Sequence, residues 1–125
     1  MSKECYAVDL DGTLAEYTGW QGNEFIGKAI PLMVSMIKQW IQDGIEVVIF
    51  TARATDPKNI PAIEKWLERN NLPKLKITNI KTPDIARIYD DRAVQVRKNT
   101  GELLGDQDII GERLVSKLYE MYFNN

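Results

Sequence analysis

"CYAVDLDGTLAEYTGW", residues 5–20, decides the fold and sets its chemical problem. Cys5 to Val8 have the apolar and aromatic character of a strand inside a sheet. Two carboxylates then appear one residue apart, Asp9 and Asp11, followed at once by Gly12 and Thr13. Like charges at the end of an apolar strand repel each other and lose solvation. An arrangement of that kind needs a compensating partner, and the rest of the chain indicates what it is.

Strands and helices alternate outward from this segment. Cys5 to Leu10 reads as the first strand, and Gly12 to Lys28, rich in glycine, polar and aromatic residues, as a loop or short hairpin. Pro31 to Asp43 reads as a helix. Pro31 suits its first turn, Met33, Met36, Ile37, Trp40 and Ile41 share one face, and Gly44 suits the stop. Glu46 to Phe50, "EVVIF", is the continuous β-branched run of a strand buried on both faces. A polar loop with Asp56-Pro57 leads to a second helix, Pro61 to Asn70, with Ile63, Trp66 and Leu67 inward. Leu75 to Ile80 is a third strand, and Ala86 to Tyr89 a fourth that ends in Asp90-Asp91. Ala93 to Val96 is a short fifth strand before the turn Asn99-Thr100-Gly101. A closing helix over Asp108 to Tyr122 carries Ile110, Leu114, Leu118 and Met121 in register.

This alternation predicts an α/β domain, a three-layer Rossmann-like parallel sheet with flanking helices and right-handed crossovers. Ligands of such sheets sit beyond the carboxyl ends of the strands. Asp9 and Asp11 follow strand one, Thr51 and Arg53 strand two, and Asp90 and Asp91 strand four, so every polar anomaly falls on that edge. Four carboxylates converging there call for a cation. Hard oxygen ligands without histidine or thiolate select Mg²⁺, which also partners substrate phosphates.

Composition narrows the setting. A chain of 125 residues is one domain's worth, 1–125, and long enough to bury a core. With 44% hydrophobic and 27% charged residues, no long disordered stretch is expected. The net charge of -2 argues against tight nonspecific nucleic-acid binding, while leaving room for contact with a nucleic-acid end. Cys5 is the only cysteine, which precludes an intramolecular disulfide, and it reads as a buried hydrophobe. There is no histidine, so acid–base chemistry near neutrality falls to carboxylates, lysine or water. Met1 to Glu4 is too short and polar for a signal peptide, and no apolar run approaches membrane-spanning length. A soluble cytoplasmic protein is the expectation.

"DLDGT", "VVIFTAR", Lys81 and "RIYDDRA", in that order, resemble the four motifs of the haloacid dehalogenase superfamily, over residues 5 to about 96. Most members with D-x-D are Mg²⁺-dependent phosphatases or phosphotransferases. The resemblance implies that Asp9 is the nucleophile, forming an aspartyl-phosphate, and a metal ligand through its other oxygen. Asp11 would protonate the leaving oxygen, then activate water, and bind metal through its main-chain carbonyl. Gly12 and Thr13 would form the tight turn that holds both acids inward. Thr51 would donate to a phosphoryl oxygen, and Lys81, with Lys76 as its competitor, would neutralise the phosphoryl group. Asp91 would touch the metal directly, and Asp90 through water or by orienting Lys81. Substrate would meet Gly12, Thr13, Ala52 and Arg53, although Arg53 is equally able to pair with an acid. Tyr17 and Trp20 would pack on the flap or flank the substrate.

The gaps between motifs leave no room for the cap domain many members insert, so the site is expected to be open unless an oligomer covers it. "YDDRAVQV" resembles the phosphatase half of polynucleotide kinases and equally small phosphatases of capsular-sugar pathways. The substrate is therefore a phosphorylated small molecule or the phosphorylated end of something larger, 3′-ends of polynucleotides included, and phosphate passes to water or another acceptor. A response-regulator receiver also gathers acids, Thr and Lys at one sheet edge, but it needs an acid after strand three, where this chain has "ITNI". A metal-binding interaction module without turnover is the other non-enzymatic alternative.

Overall fold

The structure, a computed structural model, describes residues 4–105 and 117–123. The chain divides into two compact units, 1–91 and 92–125. The first contains strands β1 (Cys5–Val8), β2 (Glu46–Phe50), β3 (Lys76–Thr78) and β4 (Ile85–Tyr89), with helices α1 (Pro31–Gln42) and α2 (Ile60–Arg69). All pairings in this four-stranded sheet are parallel, in the order β3-β2-β1-β4.

Register determines the two faces. Tyr6 and Val8 of β1 stand beside Val47 and Ile49 of β2, while Cys5 and Ala7 stand beside Glu46 and Val48. Val8, Val47 and Ile49 join Ile37 of α1 and Ile63, Trp66 and Leu67 of α2 in one core cluster. Both helices therefore cover the same face, as two right-handed crossovers stepping in one direction require. On the other face Cys5, Ala7 and Val48 form a smaller cluster with Phe50 and Ile85. "EVVIF" is buried from Val47 to Ile49 on both sides, which explains its unbroken β-branched character.

Each helix has readable ends. α1 starts with Pro31 in its first turn and stops at Gly44, whose φ of +86 suits a residue without a Cβ. α2 is likewise opened by a proline, Pro61. Near the end of α1, Trp40 packs edge-on against Tyr6 at 5.1 Å and against Tyr89 at 4.6 Å between centroids. That contact fixes the last residue of β4, from which Asp90 and Asp91 extend.

The second unit contains a two-stranded antiparallel ribbon, β5 (Gln95–Val96) with β6 (Leu103–Leu104). The expected fifth strand, Ala93 to Val96, is thus shorter and belongs to a hairpin rather than to the parallel sheet. Its turn is the expected one, with Asn99 at φ +66 and Gly101 at φ +77. Of the closing helix expected over 108–122, residues 108–116, with Ile110 and Leu114, lie outside the described residues, and 117–123 are helical.

Ile37 is the buried residue of α1 and is fully enclosed, whereas Leu32 on the same helix is 73% exposed. Chemical denaturation should show Ile37→Ala losing about 2–5 kcal/mol, the range for emptying a buried aliphatic site. Leu32→Ala should stay within about 0.5 kcal/mol of the parent.

Candidate active site at the carboxyl edge

In the order β3-β2-β1-β4, β1 has successive crossovers leaving toward one side and β4 on the other. The crevice between their carboxyl ends is where ligands bind in open α/β sheets. Asp9 extends the ladder, its N–H donating to the Tyr89 carbonyl at 2.9 Å. Backbone pairing alone therefore brings the acid after β1 alongside the two acids after β4. Carboxylate oxygens of Asp9, Asp90 and Asp91 all lie within 4.8 Å of one another.

A tight turn holds these acids in place. The Leu10 carbonyl accepts from the N–H groups of Leu14 and Ala15, at 3.0 and 2.8 Å, and Gly12 N–H donates to Ala15 at 2.8 Å. Leu10, Leu14 and Ala15 are completely buried, so the turn is anchored from beneath. Gly12 has φ +93, and a Cβ there would lie 2.5 Å from Asp91 Oδ2. Only glycine satisfies both the backbone and the carboxylate. The Thr13 hydroxyl is within 3.3 Å of Asp9 Oδ2 and 3.1 Å of Asp91 Oδ1, and it accepts from Asp91 N–H at 2.9 Å. Thr13 is thus the clasp between the two strand ends. The expected turn role of Gly12 and Thr13 has a definite physical content: one makes room for Asp91 and the other bonds to it.

The electrostatics follow from this crowding. Burial first, then the charge of Asp90 and contact with Asp91, push the Asp9 carboxyl up to about 7, with the Thr13 hydroxyl pulling the other way. The donor set fits a hard cation: three carboxylates, no nitrogen or sulfur, and an acid whose ionised form lacks a counter-charge. Asp90 and Asp91 both stand within reach of such an ion.

Asp11 lies in different surroundings. Arg53 Nε donates to Asp11 Oδ2 at 2.7 Å and Nη2 to Oδ1 at 2.9 Å, a bidentate pair. Of the two readings open for Arg53, pairing with an acid is the one the structure displays. Its Nη2 also donates to Phe25 O at 2.9 Å, and Trp20 covers its guanidinium at 4.8 Å. Trp20 therefore packs on the arginine, and Tyr17 is an exposed neighbour on the same loop.

Thr51 is buried where β2 ends. Its hydroxyl oxygen accepts from Arg53 N–H at 3.2 Å, and its own hydrogen has no acceptor among the described residues. Ala52 opens the 3₁₀ turn Ala52–Thr55 and is exposed. Lys81 is exposed on the run from β3 back to β4 and makes no hydrogen bond or ion pair among the described residues. Lys76 acts on Cys5 and Asp84, at the amino end of the sheet, which removes it from the acid cluster.

Two side chains essential to this layout escaped the sequence reading. Asn59, buried, donates through Nδ2 to Arg53 O at 2.9 Å, and Trp66 Nε1 donates to Gly27 O at 2.8 Å. An asparagine before Ile60-Pro61 resembles an ordinary helix cap, and Trp66 reads as core. Neither pattern reveals a polar bond to a distant loop.

No protein-family model and no curated protein matches the chain. Among solved structures, a conserved protein coded by a locus of Bacteroides thetaiotaomicron superposes with a TM-score of 0.57 at 22% identity. The match covers 97% of this chain and 98% of that one, and at this identity it shows the fold alone.

The raised Asp9 value has a signed consequence. The folded state holds a proton on Asp9 that the unfolded chain has already released above the usual carboxylate range. Its contribution therefore favours folding at low pH and is lost as pH rises from about 4 through about 7. A cation bound among the three acids would reverse that loss. Melting curves with and without MgCl₂ should show a Tm increase at pH 8 that shrinks sharply at pH 5 and disappears in Asp91→Asn.

Proposed function

We propose that the chain is a Mg²⁺-dependent phosphatase of haloacid dehalogenase type, hydrolysing a phosphate monoester through an aspartyl-phosphate at Asp9. The observation that carries this reading is the convergence of Asp9, Asp90 and Asp91 within 4.8 Å at the carboxyl edge. Asp9, Asp90 and Asp91, with the main-chain carbonyl of Asp11, would hold Mg²⁺, which when bound supplies positive charge against the phosphoryl oxygens.

The chain's own groups divide the chemistry. In the first step an Asp9 oxygen bonds to phosphorus as the bond from phosphorus to the leaving oxygen breaks. Asp11 gives its proton to that oxygen, so the alcohol departs neutral. In the second step water attacks the same phosphorus and returns a proton to Asp11. The bond from Asp9 to phosphorus breaks, and inorganic phosphate leaves. Both carboxyl groups end as they began. To take its part Asp11 must carry its proton on Oδ1, in place of the Nη2 contact, while Oδ2 keeps accepting from Arg53 Nε. Thr51, with an unused hydroxyl hydrogen, is suited to donate to a phosphoryl oxygen. Lys81 would have to swing in from its exposed loop to neutralise the phosphoryl group. Without a cap, the leaving group would be selected by what lies around the rim, chiefly loop 16–28.

The test is a phosphatase screen with Mg²⁺ over sugar phosphates, nucleotides and 3′-phosphorylated oligonucleotides. Asp9→Asn removes the nucleophile and a ligand charge, so kcat/KM should fall more than about a thousandfold with the fold intact by circular dichroism. Undiminished turnover in that variant would contradict the assignment.

A further inference from the structure

Arg53 is 7% exposed, a buried cation with an unusual number of fixed partners. Its backbone is pinned at both ends, the N–H by Thr51 Oγ1 at 3.2 Å and the carbonyl by Asn59 Nδ2 at 2.9 Å. Its side chain meets Asp11 twice, Phe25 O at 2.9 Å and Asn23 O at 3.4 Å. Trp20 lies over the guanidinium at 4.8 Å. Of the five N–H donors of an arginine, Nε, Nη1 and both of Nη2 are engaged by these contacts. An arginine kept for an incoming phosphate would have donors and an open face to spare.

The partners fall into two groups. One is Asp11. The other is loop 16–28, touched at Trp20, Asn23 and Phe25. The base of that loop is closed independently, by Glu16 N–H to Lys28 O and Ile30 N–H to Leu14 O, both at 2.8 Å, and by Trp66 against Gly27 O. Its tip lies against the body of the domain through Arg53. If the tip lifts, the guanidinium loses two carbonyls and the aromatic face that covers it, and water reaches its pair with Asp11. An exposed pair is worth far less than a buried one, so Asp11 loses its brace.

We propose that Arg53 is a positioning residue that makes the placement of Asp11 conditional on closure of loop 16–28. This rests on the phosphatase reading and assigns its regulation: the flap and the proton donor close as one event. Loop closure and Asp11 placement are two ends of one coupling, so a change at either end is felt equally at the other. Gly27 permits an independent perturbation, because a Cβ there collides with the Glu16 carbonyl oxygen, and its nearest atoms all belong to Glu16 rather than to Arg53 or Asp11.

Arg53→Met, Gly27→Ala and Asp11→Asn are compared with the parent in three measurements: kcat on an alkyl phosphate, kcat on p-nitrophenyl phosphate, and inhibition by inorganic phosphate. Chymotryptic cleavage after Phe25, whose carbonyl Arg53 holds, reports loop opening without any activity. All three variants should lose about a hundredfold more kcat on the alkyl ester, whose leaving group needs the proton, than on the aryl ester. Inhibition by phosphate in Arg53→Met and Gly27→Ala should stay within about twofold, and cleavage after Phe25 should quicken about tenfold in all three. A roughly tenfold weaker phosphate inhibition in Arg53→Met with an unchanged alkyl-to-aryl ratio makes Arg53 a phosphate ligand and overturns the proposal. So does a Gly27→Ala loop that opens without changing the ratio. Should the parent hydrolyse no ester, the phosphatase reading falls and cleavage decides the coupling by itself. Quicker cleavage in Asp11→Asn then upholds it, and unchanged cleavage overturns it.

Discussion

Three carboxylates whose oxygens lie within 4.8 Å of one another, with Asp9 raised to about 7, are the constraint around which the first unit is arranged. Asp9 is placed by a ladder hydrogen bond to Tyr89, so its separation from Asp90 and Asp91 is a consequence of strand pairing. Parallel strands cannot relax that proximity without losing the sheet. The surrounding residues share the strain: Gly12 vacates the volume Asp91 occupies, Thr13 bonds across the gap, and Trp40 stacks on Tyr89 behind it. A carboxyl raised to about 7 in this setting is a site prepared for a counter-charge.

The second carboxylate of the D-x-D pair is treated in the opposite way. Only Leu10 separates Asp9 and Asp11, yet one faces two further acids and the other receives a buried arginine. Environments that differ this much assign different tasks to chemically identical groups. Removing one partner of a buried pair leaves the other charge uncompensated, at a cost of about 3–5 kcal/mol. Arg53 therefore links the acid edge, the 3₁₀ turn after β2 and the long loop into one structural unit.

How much was legible from sequence depends on the range of the interaction. β2 was readable residue for residue, because burial on both faces leaves an unbroken apolar run. The helices were readable to within a residue or so at their ends, from proline and glycine punctuation. The carboxyl-edge cluster was legible because strand ends and topology together specify it. The short strand at Ala93–Val96 was legible as a strand but not in its pairing, since a run that short holds no signal for its partner, and its hairpin mate is only Leu103–Leu104. Sequence position favoured Lys81 without excluding Lys76, and it is the register of β3 that sets Lys76 at the far end. The contact between Arg53 and Asp11 joins positions 42 apart. No local pattern marks a buried ion pair of that span, just as none marks the bond of Trp66 to Gly27.

Acid quenching of a single turnover with Mg²⁺ and a phosphate ester, followed by peptide mass spectrometry, tests the central assignment most directly. A phosphoryl group, labile to hydroxylamine, is expected on Asp9 in the peptide spanning residues 4–28. Turnover that leaves no phosphorylated carboxylate, or that places the group on any residue other than Asp9, contradicts it.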